Sequence, residues 1–309
     1  MPGKPGAPTG PANLFVISPN GKIVNQVSIN CPTCPGGAAS SHMLGLRFNP
    51  VNQHLWVLDF GAGLVLDLGA SPQTGGASVL AGPIPNSGLN ALTFDKAGNG
   101  YVSDSFQGAI WKIPSGGGTP STPWISDPLL LGNGTPFVPF GALTPPFGAN
   151  GVEFNNEGTI LFVANTAFHQ IIQIPVKQSG GTFTPDPGNP PTIFITGINA
   201  PDGIAIDSKD NIWICANQED EIVVIDNTGK VIAKLGDFEG IDPKGIVRGL
   251  LFPASLAFSP DGQWLYVTNL TLFLPYAGAN KAIDSAWTLQ VNGYTVSRLP
   301  AKIPPISGN

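Results

Sequence analysis

The chain reads as all-β, a six-bladed β-propeller of four-stranded antiparallel blades whose first blade is incomplete at the N-terminus. Three observations predict this. A small residue, alternating apolar positions, a polar turn, an apolar run and then Asp or Asn recur five times along the chain. The copies begin 46, 60, 52 and 52 residues apart, a period that holds two hairpins and therefore four strands. Glycine and proline, 40 and 32 of 309 residues, punctuate the copies without a Gly-X-Y period, and no amphipathic helical stretch exceeds two turns.

Residues 1–12 are Pro/Gly-rich and read as a flexible segment ahead of a single propeller domain over 13–309. Asn13–Ile29 has the pattern of an outer hairpin, as though the chain begins halfway through a blade. Cys31-Pro-Thr-Cys34 is a lone CxxC. Zinc would need two further soft ligands, and a thioredoxin-type pair would open a helix, whereas Pro35-Gly36-Gly37 follows. The pair reads as a loop pair open to oxidation outside the cytosol, and Cys215 as core.

The five inner hairpins follow. They are Leu44-GLRF-NPVNQ-HLWVL-Asp59, Asn90-ALTF-DKAGN-GYVS-Asp104, Asn150-GVEF-NNEGT-ILFVA-Asn165, Asp202-GIAI-DSKDN-IWICA-Asn217 and Ala254-SLAF-SPDGQ-WLYVT-Asn269. Each predicts two short antiparallel strands joined by a polar turn. A second hairpin is clearest over Glu221–Leu235, turning at Asn227-Thr-Gly229, and 286–299 is placed as the outer hairpin of the last copy. The count is five full blades and one half blade, and the half blade must be covered or completed.

Composition narrows the function classes. Charged residues are 11% and apolar ones 42% of the chain, unlike a disordered chain. A net charge of −6 argues against a nucleic-acid partner. No apolar stretch reaches the roughly eighteen residues of a membrane span, so neither nucleic acid nor membrane is expected. Few charges with many Pro, Gly, Ser and Thr point to a periplasmic or secreted protein; a cytoplasmic one stays open, since no signal segment stands in this chain.

In a propeller the residue before each small position faces the channel mouth. Here that ring is Leu44, Asn90, Asn150, Asp202 and Ala254. Three oxygen-bearing side chains on successive blades suit Ca²⁺, with Zn²⁺ as the other divalent candidate. The metal-ligand set is therefore Asn90, Asn150 and Asp202. A common turn requirement would not give Leu44 and Ala254 at the same place. By contrast Asp59, Asp104, Asn165, Asn217 and Asn269 are Asp or Asn in every copy, which marks them as turn architecture. His42 and His169 lie on loops at the mouth and are candidates for base, proton shuttle or orienting donor, against the reading of ordinary rim histidines. Phe106 and Phe168 occupy matching rim positions. No GxSxG elbow and no Gly-rich phosphate loop occurs.

Pro146-FGANGVEFNNEGTILFVANT-Thr166 and Ala200-PDGIAIDSKDNIWICANQ-Gln218 resemble the SMP-30/gluconolactonase/LRE-like family of six-bladed propellers, with broader likeness to NHL-repeat, strictosidine synthase-like and paraoxonase proteins. The resemblance runs from about Leu44 to Asn269. It implies a divalent cation held by a Glu, two Asn and an Asp, with Asn90, Asn150 and Asp202 matching the last three. The Glu would lie on the blade before Leu44, whose inner hairpin is missing. The resemblance further implies a metal-dependent lactonase or esterase acting on a small lactone or ester, with Asp202 as base. The other reading is a non-catalytic propeller that binds a small ligand or a protein partner, shaped by the insertion from Pro114 to Pro146.

Overall fold

A computed structural model describes residues 11–133, 147–271 and 285–303. The expected N-terminal segment falls almost wholly outside the described residues, as does the second half of the Pro114–Pro146 insertion.

Among the described residues five blades are present. Blade one is built from Met43–Phe48, Leu55–Asp59, Leu64–Asp67 and Ser78–Ala81, paired antiparallel in that order. Blade two uses Leu89–Phe94, Gly100–Asp104, Ala109–Ile113 and Ile125–Ser126. Blade three uses Ala149–Phe154, Ile160–Asn165, Gln170–Ser179 and Thr192–Thr196, with Thr182–Pro185 turning back on the long third strand. Blade four uses Pro201–Ile206, Ile212–Ala216, Glu221–Ile225 and Val231–Leu235.

Blade five has three strands, Pro253–Phe258, Trp264–Asn269 and Thr295–Pro300. The outer hairpin expected over 286–299 is thus a single strand. Ser285–Thr288 forms a helical turn, and the Asn292 N–H donates to the Gly245 carbonyl at 2.8 Å. That bond ties the stretch before Thr295 to a small extra hairpin, Phe238–Ile241 with Val247–Gly249, so it cannot pair as a strand.

The polar turns form for a local reason. The residue opening each turn accepts backbone N–H groups on its side chain. Asp95 Oδ1 takes those of Ala97 and Asn99, Asn155 Oδ1 those of Thr159 and Ile160, and Asp207 Oδ1 those of Lys209 and Asn211, all at 2.8–3.0 Å.

Every first strand breaks register after its first residue. The shifts fall at Met43/Leu46, Leu89/Leu92, Ala149/Val152, Pro201/Ile204 and Pro253/Ser255. Bulges of this kind re-aim a side chain, and the residues they release are those of the predicted channel ring. The small residue that follows lies against the next blade. A Cβ on Gly45 would sit 2.6 Å from the Asn90 carbonyl oxygen, one on Gly203 2.7 Å from Ser255 Cα, and one on Gly151 would overlap the Asp202 carbonyl.

Apolar clusters lie between successive blades. Second-strand aromatics meet the last Phe of the next first strand edge-on: Trp56 with Phe94 and Tyr101 with Phe154 at 4.9 Å between ring centroids, Trp213 with Phe258 at 5.4 Å. The Asn13–Ile17 and Ile23–Ser28 hairpin packs Leu14 on the blade-one cluster that holds Cys31 and Cys34. It also touches blade five, where Arg298 donates to the Pro19 carbonyl at 2.7 Å. Cys31 and Cys34 form a disulfide, and Cys215 is buried.

Candidate functional site at the channel mouth

The site grows from the bulges of blades two, three and four. Asn90 Nδ2 donates to Ser105 Oγ at 3.0 Å, and Ser105 Oγ donates to the Ala149 carbonyl on the next blade at 2.6 Å. One blade further the arrangement repeats. Asn150 Nδ2 donates to Thr166 Oγ1 at 2.9 Å, and Thr166 Oγ1 donates to the Pro201 carbonyl at 2.7 Å. Each hydroxyl follows the Asp or Asn that ends a second strand. It holds an amide by its nitrogen, so the amide oxygen is kept out of that bond. Asn150 Oδ1 is buried without a hydrogen-bond partner.

Asp202, on the next blade, meets Asn150. Its Oδ2 accepts from Asn217 Nδ2 at 3.1 Å. Burial pushes its carboxyl up to about 7, against the opposing pull of hydrogen bonds from Asn217 and Asn150. Asn217 Oδ1 is the second buried orphan oxygen at the mouth. The thiol of Cys215, on the strand behind, is raised by its burial and then by the Asp202 charge.

Two orphaned amide oxygens beside a carboxylate short of positive charge fit a hard cation with oxygen preference, Ca²⁺ above Zn²⁺. Among the described residues no group of three His, Cys, Asp or Glu side chains gathers, here or elsewhere, so the donors at this site are amide oxygens around one carboxylate. The structure thus brings Asn150 and Asp202 together and sets Asn90 one blade away in the same relay.

The two histidines part company. His169 has a positive φ of 58°, and its Nδ1 accepts the Ala200 N–H at 2.9 Å, two residues before Asp202. With Nδ1 as acceptor, the neutral ring carries its proton on Nε2. His42 is fixed on blade one, where its N–H donates to Ser40 Oγ at 3.1 Å and its carbonyl accepts from Gly61 at 3.4 Å.

Four of the five Asp/Asn positions are turn architecture as read from their uniformity. Asp104 alone accepts the Gly88, Phe106 and Gln107 N–H groups and the Trp111 indole N–H, all at 2.9–3.1 Å. Asn217 is the departure, because its amide turns to Asp202. Uniform occupancy concealed it; the signal available was its place in the same copy as the ring's one carboxylate.

A lower tier also escaped the sequence reading. Glu153, buried on blade three, accepts from Thr93 Oγ1 of blade two at 2.6 Å and pairs with Arg47 of blade one. These are the third residues after Asn150, Asn90 and Leu44. At the rim, Phe106 packs with Phe60 and Phe147 at 5.4 and 5.9 Å between centroids, while Phe168 stays 47% exposed.

Residues 146–236 match the SMP-30/Gluconolactonase/LRE-like region. Lactonase drp35 of Staphylococcus haemolyticus (strain JCSC1435) is 30% identical over 87 residues, 28% of this chain and 26% of the relative. Lactonase drp35 of Staphylococcus saprophyticus subsp. saprophyticus is 29% identical over 132 residues, 39% of this chain and 40% of the relative. The matches therefore span between a quarter and two fifths of these relatives. Among solved structures, virginiamycin B lyase from Staphylococcus aureus superposes with a TM-score of 0.52 at 15% identity, over 92% of this chain and 75% of that one, a likeness of fold alone. Blades three and four, which carry Asn150, Asp202 and Asn217, are thus the part of this β-propeller that resembles the SMP-30/gluconolactonase/LRE-like family.

Proposed function

We propose that the protein hydrolyses a small lactone or ester at the channel mouth, with a divalent cation, calcium by its oxygen donors, held by Asn90, Asn150 and Asp202. The observation that carries this reading is the Asp202 carboxylate, enclosed beside two orphaned amide oxygens. The family match over residues 146–236 takes in Asn150 and Asp202, and relatives named lactonase share sequence with this chain.

A bound cation supplies polarisation of the substrate carbonyl and a lowered pKa for water beside it. The chain's residues do the rest. Asp202 accepts a proton from water as the water oxygen bonds to the carbonyl carbon. The ring C–O bond then breaks, and the proton passes from Asp202 to the leaving oxygen. Asn217 holds the Asp202 carboxylate by one oxygen, and Ser105 and Thr166 hold the amides with their oxygens free. His169, its Nδ1 already occupied, acts through Nε2–H as an orienting donor and not as the base. The triangle of Phe60, Phe106 and Phe147 offers the substrate an apolar wall.

Calorimetric titration with Ca²⁺ and with Zn²⁺, on wild type and Asp202→Ala, tests the reading together with a lactone and ester panel. Calcium binding and turnover that both vanish in the variant support it. A wild type that binds neither ion and turns over no lactone leaves the non-catalytic propeller. That second reading draws on Glu153, which is bonded to Arg47 and Thr93 in the tier below the trio.

Two further readings belong to the same proposal. The ring has six positions, the sixth held among the described residues by the Asn13–Ser28 hairpin alone. Export from the cytosol is the second, and it draws on the Cys31–Cys34 disulfide.

A further inference from the structure

Blade one carries a second polar cluster, away from the channel ring and outside residues 146–236. A groove of about 500 Å³ opens beside its outer strands, and the polar part of its lining is Asn30, His54, Asp67 and Ser78. His54 stands just before the second strand, Asp67 ends the third, and Ser78 pairs with Asp67 from the fourth. Asp67 therefore lies between the histidine and the serine. A nucleophilic triad has its histidine in the middle, so this cluster is not one.

The His54–Asp67 dyad is held from both ends. His54 Nδ1 and Asp67 Oδ2 are 2.9 Å apart, Asp67 Oδ1 accepts the Gly69 N–H at 2.7 Å, and the His54 N–H donates to Asn52 Oδ1 at 3.0 Å. With Nδ1–H turned to the carboxylate, the neutral ring keeps its lone pair on Nε2. The facing wall is also fixed. The Asn30 N–H donates to the Gly75 carbonyl and the Asn30 carbonyl accepts from Ala77, both at 2.8 Å. Thr33 Oγ1 accepts the Val79 N–H at 3.0 Å, and the Cys31–Cys34 disulfide closes this loop. Asn30 and Ser78 are exposed, which leaves their side chains open to a ligand.

The lining selects among ligand chemistries. It holds a carboxylate and no Lys or Arg, which disfavours an anion. One imidazole with amide and hydroxyl oxygens is a poor set for zinc or copper, and no three His, Cys, Asp or Glu side chains gather among the described residues. The groove offers one acceptor at His54 Nε2, an amide and a hydroxyl that each donate and accept, and apolar surface from Pro32, Leu68 and Ala77. Adjacent hydroxyls on a ring with a C–H face satisfy all three. We propose that this groove binds a neutral polyhydroxylated ring, a mono- or disaccharide, with one ligand hydroxyl donating to His54 Nε2. The proposal stands apart from the lactone reading, and its test separates the two.

The probe is the His54 imidazole, followed by nitrogen-15 NMR on the full chain and assigned by its loss in His54→Ala. Glucose, galactose, mannose and their disaccharides are titrated beside acetate, phosphate and Zn²⁺. A saturable His54 shift with at least one saccharide is expected. Ser78→Ala and Asp67→Asn should each weaken it about five-fold, with the melting temperature of Ser78→Ala unchanged. Asp202→Ala should bind the saccharide as wild type does, whatever becomes of lactone turnover. A His54 resonance that no saccharide moves overturns the proposal. So does a saturable response confined to acetate, phosphate or Zn²⁺, or a saccharide response unchanged in both Ser78→Ala and Asp67→Asn. Loss of the response in Asp202→Ala moves the sugar to the channel mouth and overturns it as well.

Discussion

Asp202 sets the pH behaviour of the site. An ordinary aspartate releases its proton near 3.8, whereas burial moves this one up to about 7. The folded state therefore holds the proton more tightly than the unfolded one. Stability from this group is full below about 3.8 and is lost as pH rises toward 7. The loss amounts to roughly 4 kcal/mol without a cation, and Asp202→Asn should flatten the melting profile across that window. Calcium affinity should climb over the same interval, since binding needs the carboxylate. Thr166→Val removes the hydroxyl that accepts from the Asn150 amide, which costs about 1–2 kcal/mol. It should also weaken calcium binding, with Thr166→Ser restoring both, as calorimetry and melting curves would read. Asn90, Asn150 and Asp202 were legible because their polarity breaks a ring position that elsewhere holds Leu44 and Ala254. Asn217, Glu153 and Arg47 were not, since which neighbour a side chain reaches depends on the bulges and on the spacing of blades, and neither is written in the local pattern.

At the scale of the strand and its turn, the bulged first strand is the unit that works. It turns one side chain to the channel and sets the next residue against the adjacent backbone. Gly151→Ala should cost about 2–3 kcal/mol by forcing blades three and four apart. The same change at Gly262, a turn position with nothing within 4 Å, should cost less and only through its positive φ of 65°. Asp104→Ala strands three backbone N–H groups and an indole, so a loss of about 3 kcal/mol is expected in denaturant melts. The inner hairpins were legible throughout, because alternation, polar turns and terminal Asp or Asn are local signals. The outer elements were less so. The stretch over 286–299 has strand-like composition, yet Asn292 and Gly293 bond to the Phe238–Gly249 hairpin and Thr295–Pro300 is the part that pairs as a strand.

At the scale of the whole molecule, Asn90, Asn150 and Asp202 stand on blades two to four, while Leu46 and Phe48 are exposed on blade one. The period of about 50 residues announced the architecture; the number of ring positions depends on closure, which a repeat count does not fix. Substitutions at this exposed apolar face should therefore change association and stability while sparing the trio. Phe48→Ser is expected to lower binding of an apolar dye and leave calcium affinity unchanged, measured side by side on one preparation.

Arg47 and Glu153 stand two blades apart on one arc, so their pair spans a chord of it. The chord crosses the channel aperture and sets the separation of blades one and three. The Arg47 side chain is 43% exposed, so salt reaches this chord and slackens it. Raising ionic strength should widen the aperture, visible as a growing radius of gyration in solution scattering. Arg47→Met, which has no chord to loosen, should show the wider value at every salt concentration.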